Sequence, residues 1–360
     1  MVILFIILKL IVFWAILFFF GFQSSKWLFG GGKIEKLIAL SGLIGTGLYV
    51  FLINAIGYFI PIKTTFYLVL LMFVVIGSVL FFANKPRTLN WGIDKKWRKI
   101  LLIITLLLIV ITFIVDNRYP LSGDQVLLSC VPTAATIAEG NFPPRAIWMP
   151  QYPLRYHYGV HLFAAAIYKT TGVPLYVSYD IQIAILMGAL FLLGFISIKR
   201  LTENNKKSLI ASLSMLCIGS LVFLKGIRGI PILYNKYILH QDMLAPFKFV
   251  FEMFETLFSR PSFAWIIAFP TNALSFVLII GIIYLYFSII KEKNKKIIIL
   301  NALLLATLTL FAETFFVVLC FLLIVYPFIF GLIKKDWLSA KKFLIISLLM
   351  LMIAIPISLI

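Results

Sequence analysis

The sequence predicts an all-α fold, a polytopic transmembrane helix bundle of about 10 spans with interfacial helices in two long outer loops. Three observations carry this expectation. The chain is 62% hydrophobic and only 12% charged, whereas soluble domains carry about a quarter charged residues. Apolar runs recur at lengths able to cross a hydrocarbon core. The breaks between runs alternate between two kinds, one short and lysine-rich, the other aromatic and mixed in charge.

The runs cover residues 1–22, 37–60, 66–83, 100–115, 178–198, 208–224, 271–290, 297–311, 314–333 and 343–360. The first lacks a cationic leader and a small-residue cleavage site, so it reads as a retained span. The lysine-rich breaks are "SKWLFGGGKIEK", "NKPRTLNWGIDKKWRK", "KRLTENNKK", "KEKNKK" and "KKDWLSAKK". About two thirds of the 32 lysines and arginines fall in these five segments. The positive-inside rule places that set in the cytoplasm, and alternation of the spans agrees. The net charge of +19 is then a topology signal, which argues against nucleic acid as a partner. Residues 158–168, "YGVHLFAAAIY", are too short to span. Counting them as a span would put "KRLTENNKK" outside, so a short helix lying in or dipping into the outer interface is expected there.

This pattern divides the chain into an N-terminal three-helix membrane segment, 1–99, and a membrane core, 100–360, with outer loops 116–177 and 225–270. Within the first loop Ser122 to Glu139 reads as a helix. Ser122 and Gln125 form a capping box, Pro132 is expected to kink it, and Gly140 followed by Pro143 is a stop. In the second loop "PFKFVFEMFETLF", 246–258, puts Lys248, Glu252 and Glu255 on one helical face. It suits the membrane surface or packing on the bundle. Cys130, Cys217 and Cys320 are odd in number and far apart, with no disulfide framework or zinc pattern.

Polar chemistry gathers in the outer breaks. All three histidines, His157, His161 and His240, are there, with Arg118, Arg145, Arg155, Arg228 and Arg260. Lysine on the inside follows from topology, but arginine on the outside does not. Its planar fork suits phosphate or carboxylate. The stretch "GNFPPRAIWMPQYPLRYHYGVHL", 140–162, is the densest segment. Arg145 and Arg155 there are placed to grip a carrier phosphate, or ordinary lipid head groups. Tyr152, Tyr156 and Tyr158 suit stacking on a sugar ring, and equally suit a membrane interface. His157 and His161 stand i, i+4, a spacing that hydrogen-bonds a sugar or ligates a metal. A metal site would need further ligands, with Asp116 and Asp124 as candidates. Asp124 follows a helix exit and is the candidate general base; its alternative is a first-turn carboxylate favouring a helix dipole. Asp116 pairs with Arg118 or helps hold a cation. His240 and Asp242 in "LHQDMLAP", and Glu313 in "FAET", complete the candidate substrate-binding set.

The order of a membrane helix, an acidic residue just outside, a short helix, "FPP...W...YPLRYHYGVH" and then "TGVP" resembles the GT-C-fold membrane glycosyltransferases. It is particularly similar to the prokaryotic group with tyrosine-rich "YYY" motifs. The resemblance covers about residues 116–195, and Gln125 stands where many members carry a second acid. It implies a polyprenyl-phosphate sugar donor, a glycan, lipid or protein acceptor, and Asp124 at the family's acidic position. A divalent cation, magnesium or manganese, is implied with it. The bilayer itself is the other expected partner, in a multi-pass cell-membrane protein whose active face is extracytoplasmic. A transporter or flippase of a lipid-linked saccharide and a non-catalytic membrane scaffold are the rival readings. Transport is disfavoured because the apolar runs hold almost no ionisable groups, Lys9 being the clear exception.

Single cysteines introduced at Lys96 and at Asp124 test the expected orientation. In intact cells a membrane-impermeant thiol reagent should label the cysteine replacing Asp124 and not the one replacing Lys96. The reverse pattern would place the candidate site in the cytosol.

Overall fold

The computed structural model describes residues 2–30, 32–84, 89–118, 130–147, 149–154, 158–217, 270–292 and 294–358. Twelve helices lie among them. The first four are α1 (Val2–Phe29), α2 (Ile34–Gly57), α3 (Ile62–Ala83) and α4 (Lys95–Arg118). Two short helices follow, α5 (Val131–Ala138) and α6 (Gly159–Thr171), then α7 (Leu175–Thr202) and α8 (Asn205–Cys217). The last four are α9 (Pro270–Glu292), α10 (Lys295–Leu308), α11 (Glu313–Lys334) and α12 (Trp337–Ser358).

Each of the ten apolar runs overlaps a helix. Seven of these helices, α1 to α4, α7, α11 and α12, are long and apolar enough to cross a membrane. The described part of α8 has 13 residues, α10 has 14, and the apolar stretch of α9 is Ala273–Ile289. The protein is a polytopic helical membrane protein. In hydrocarbon an α-helix satisfies its own backbone hydrogen bonds, which is why apolar runs of this length fold this way.

The two kinds of break sort to opposite ends of the bundle. At one end the Ile34 N–H donates to the Asn90 carbonyl (3.1 Å) and Lys199 Nζ donates to the Gly92 carbonyl (2.7 Å). Asn294 Nδ2 reaches the Leu28 carbonyl at 2.5 Å, and Lys296 lies over the Trp27 ring. The last lysine-rich break joins them, since Ser339 and Lys342 line one cavity with Asn294 and Lys295. At the other end the Tyr58 and Phe142 rings meet edge to face. There the Gly159 N–H donates to the Leu310 carbonyl (2.8 Å). The segregation expected from charge alone is therefore present in three dimensions.

α2 and α7 form the centre. In their most apolar 18-residue windows 78% and 72% of residues are buried, against 17–33% in the other five long helices. The rest present large side chains outward, among them Leu102, Leu106, Phe321 and Met352. α2 is central because of "ALSGLIGTG", 39–47, whose small residues let neighbours approach closely. A Cβ on Gly21 of α1 would fall on the Ser41 carbonyl oxygen of α2. One on Gly45 would fall on the Leu17 carbonyl oxygen. The two backbones are thus in contact along one seam.

Pro132 lies in the first turn of α5, where a missing N–H costs no internal hydrogen bond. Residues 158–168 fall in a short helix, α6, as the sequence predicts, and protein surrounds it on most sides. Leu162, Phe163, Ala164, Ala165 and Ala166 are wholly buried. The Phe163 ring sits among Phe13, Trp14 and Tyr49. Alanines at three successive positions make the helix thin enough to enter. The predicted stop at Gly140 stands: α5 ends at Ala138 and Gly140 takes φ 111°. The upstream residues Ser122 and Gln125, and the predicted helix over 246–258, lie outside the described residues.

Gly45→Val should lower stability by about 1–3 kcal/mol, the usual cost of forcing methyl groups into a closed seam. Unfolding in detergent measures it. Ile103→Val, on the outward face of α4, should leave the midpoint unchanged.

Candidate functional site

The end that carries residues 139–174 is built around α6. Only glycine fits at the start of this helix, because a Cβ on Gly159 would lie 2.7 Å from the Leu310 carbonyl oxygen. The same carbonyl accepts the Gly159 N–H, so the corner between α10 and α11 holds the start of α6. Gly172, in the left-handed conformation with φ 81°, ends it. The described residues of the cap segment, 139–147 and 149–154, lie at this end, where the Phe142 ring meets Tyr58 and Tyr158. Within the segment the Ala146 N–H donates to the Tyr152 carbonyl (3.0 Å), and the Leu154 N–H to the Pro144 carbonyl (2.7 Å).

Four polar contacts tie α6 and the end of α5 to the bundle. Tyr158 donates its hydroxyl proton to Asn54 Oδ1 of α2 (2.7 Å). Tyr67 of α3 donates to the Lys169 carbonyl (2.6 Å). Glu139, at the end of α5, receives Lys169 Nζ at 2.6 Å and Lys63 Nζ at 2.8 Å. The hydrogen bonds from Lys169 and then Lys63 pull the Glu139 carboxyl down to about 2. It is ionised and doubly paired, a brace between α3 and α6 and not a base.

His161 lies in the first turn of α6 with its Nδ1 2.7 Å from the Tyr179 hydroxyl of α7. Tyr179 is buried and donates to the Cys130 carbonyl (2.9 Å). A phenol has one proton. Since it goes to Cys130, a neutral His161 donates from Nδ1 and carries its acceptor lone pair on Nε2. This tautomer is what a base or a hydroxyl-binding histidine needs.

Of the other candidates, Arg145 is exposed in the cap segment. Asn141 Oδ1 accepts its N–H, and its Nη1 reaches the Pro150 carbonyl at 3.5 Å. Its guanidinium is open to a partner arriving from outside. Glu313 is half-buried in the first turn of α11, three residues beyond the Leu310 anchor, where a carboxylate suits the helix dipole. Asp116 sits in the last turns of α4. Asp124, Arg155, Tyr156, His157, His240 and Asp242 lie outside the described residues. The structure thus brings together Tyr158, His161, Arg145 and the Leu310–Glu313 corner at one end. Among the described residues no group of three His, Cys, Asp or Glu side chains is placed to hold a metal ion.

Sequence reasoning missed Asn54, Tyr179 and the pairing of Glu139 with Lys63 and Lys169. An amide close to the end of a long apolar run was a legible signal for Asn54. Nothing local marks Tyr179, because its partners lie 18 and 49 residues away.

A family model described as "Uncharacterized membrane protein (DUF2298)" matches residues 46–237, more than half of the chain. The protein belongs to that family. The matched region of this DUF2298 member contains Asn54, Glu139, Arg145, Tyr158, His161 and Tyr179, and ends before His240 and Glu313. No curated protein and no solved structure matches the chain.

The brace has a pH signature. Because the folded carboxyl of Glu139 titrates near 2, below its ordinary 4.5, its contribution is complete above 4.5. It is lost as pH falls toward 2. Proteolysis of the 139–154 segment should accelerate over that acid window. Glu139→Gln should be cleaved faster at neutral pH and show no such acid step.

Proposed function

We propose that this chain is a membrane glycosyltransferase that moves a sugar from a polyprenyl-phosphate donor to an acceptor at the α6 end of the bundle. The supporting observation is the setting of His161. A histidine hydrogen-bonded to the buried Tyr179 lies on a helix sunk in an apolar bundle, at the end of the molecule that also carries the exposed Arg145. A carrier whose tail lies in the bilayer would bring its phosphate to that rim.

In this reading Asp124 removes the proton from the acceptor hydroxyl as it attacks the anomeric carbon. The glycosyl–phosphate bond breaks, and the departing phosphate keeps the electron pair. Arg145 and Arg155 neutralise that phosphate. Tyr156, His157, Tyr158, His161, His240, Asp242 and Glu313 bind donor or acceptor. His161 Nε2 accepts from a sugar hydroxyl, and the Tyr158 ring forms a wall while its hydroxyl stays on Asn54. The positive-inside rule supports an extracytoplasmic site.

A transporter of lipid-linked saccharide is the second reading. One observation favours it: α6 is a short helix buried within the bundle, as in folds that bind cargo at interrupted helices.

Purified protein with lipid-linked sugars decides between them. Asp124→Asn should cut glycosidic bond formation by about 10²- to 10⁴-fold, the usual worth of a general base. Tyr179→Phe should impair turnover without abolishing folding. Full transfer by Asp124→Asn sinks the assignment, and substrate accumulation in proteoliposomes without a new glycosidic bond favours transport.

A further inference from the structure

The opposite end of the molecule holds a second amphiphilic site, which does not depend on the proposed transferase. Between α2, α4 and α7 lies a groove of about 350 Å³. Its walls are apolar, formed by Ile38, Leu101, Leu102 and Leu192. Leu102 is 60% exposed on the outward face of α4, so the groove opens sideways to where lipid chains run. Its mouth is cationic. Lys95, Arg98 and Lys99 line it, with Trp91 beside them.

The charges at that mouth do not balance. Among the described residues Glu35 is the one carboxylate lining the groove, and it is already engaged. It accepts the Gly92 N–H at 3.1 Å and lies 3.9 Å from Lys199. Arg98 stacks on the Trp91 ring, its guanidinium carbon 4.7 Å from the ring centre. Its Nε is buried and has no hydrogen-bond partner among the described residues. A buried donor of a charged group left unpaired is costly. The helix field makes matters worse. α4 starts at Lys95, has no acidic residue in its first turn, and carries Lys95, Lys96, Arg98 and Lys99 at its positive pole. Asp94 stands just before the helix but does not line the groove. Cations belong at the other end of a helix. Topology requires basic residues on this side of the membrane, but it does not require an apolar groove beneath them or an arginine whose buried Nε has no hydrogen-bond partner among the described residues.

We propose that this groove binds an anionic diacyl phospholipid, with its phosphate on Arg98 and Lys99 at the start of α4 and one acyl chain along Leu101, Leu102 and Leu192. The phosphate supplies what the groove lining lacks: a negative charge facing Lys95, Arg98 and Lys99, and an acceptor for the Arg98 fork. The apolar walls select a lipid over a free anion. The bound lipid would tie α4 to the central helices α2 and α7 at the lysine-rich end.

Thermal unfolding of the full chain in neutral detergent, at constant ionic strength, tests this with three additives: phosphatidylglycerol, phosphatidylcholine and inorganic phosphate. Phosphatidylglycerol should raise the midpoint by about 5 °C, and the other two should not. Arg98→Gln combined with Lys99→Gln should abolish the difference between the two lipids. Leu102→Trp, which fills the groove and leaves every charge in place, should abolish it as well. That second variant keeps the test valid if the charge-neutralised protein folds poorly. Equal stabilisation by phosphatidylcholine would overturn the proposal. So would equal stabilisation by inorganic phosphate, which would indicate a soluble-anion site, or an undiminished phosphatidylglycerol effect in the Leu102→Trp protein.

Discussion

A bilayer offers its proteins no hydrogen bonds, and this architecture rests on that constraint. Long helices meet it by themselves. A 13-residue helix and a proline-rich cap cannot, because their ends carry backbone groups with no internal partner. They persist at the end of this bundle because protein surrounds them. Leu310 takes the Gly159 N–H, Asn54 takes the Tyr158 hydroxyl, and the Lys169 carbonyl receives Tyr67. The candidate site is a product of these contacts. The same neighbours that make α6 tolerable near the membrane aim His161 at Tyr179.

Packing inside the bundle follows a related constraint. Hydrocarbon competes with side chains for apolar contact, so helices gain most where they come closer than lipid can. Gly21 and Gly45 bring α1 and α2 into backbone contact, and the alanines of α6 admit it beside them. Hydroxyl groups within the helices return to their own preceding turn, as Thr46 does to Gly42, Thr105 to Leu101 and Thr307 to Leu303. The interior therefore needs few long-range polar bonds. Those it has, such as Tyr286 to Ser347 between α9 and α12, mark where particular helices must find each other.

The two ends of the molecule serve different physics. One is dense in lysine and arginine, and its loops are short and joined by backbone bonds such as Ile34 to Asn90. Its charge orients the chain and leaves an uncompensated surplus at the start of α4. The other end carries arginine, histidine and tyrosine on longer segments, braced by the Glu139 pairs. Both ends set polar groups against an apolar wall, an arrangement suited to molecules with a charged head and a greasy tail.

Helix placement and the sorting of breaks into two classes were legible in the sequence, because hydropathy and lysine density are local properties that a bilayer reads directly. The stop at Gly140 was legible because its signal is also local. The burial of α6 was not: its length ruled out a span, but its interior is supplied by α1, α5 and α7, which are brought to it only by the fold. Nor was the role of Pro132, which depends on where α5 begins. The tautomer of His161 and the doubly paired state of Glu139 are decided by Tyr179, Cys130, Lys63 and Lys169, residues 18 to 76 positions from their partners. Composition and spacing nominate side chains able to do chemistry. Tertiary structure chooses which of them share a proton or a charge, since those interactions act over a few ångströms of space and are indifferent to distance along the chain.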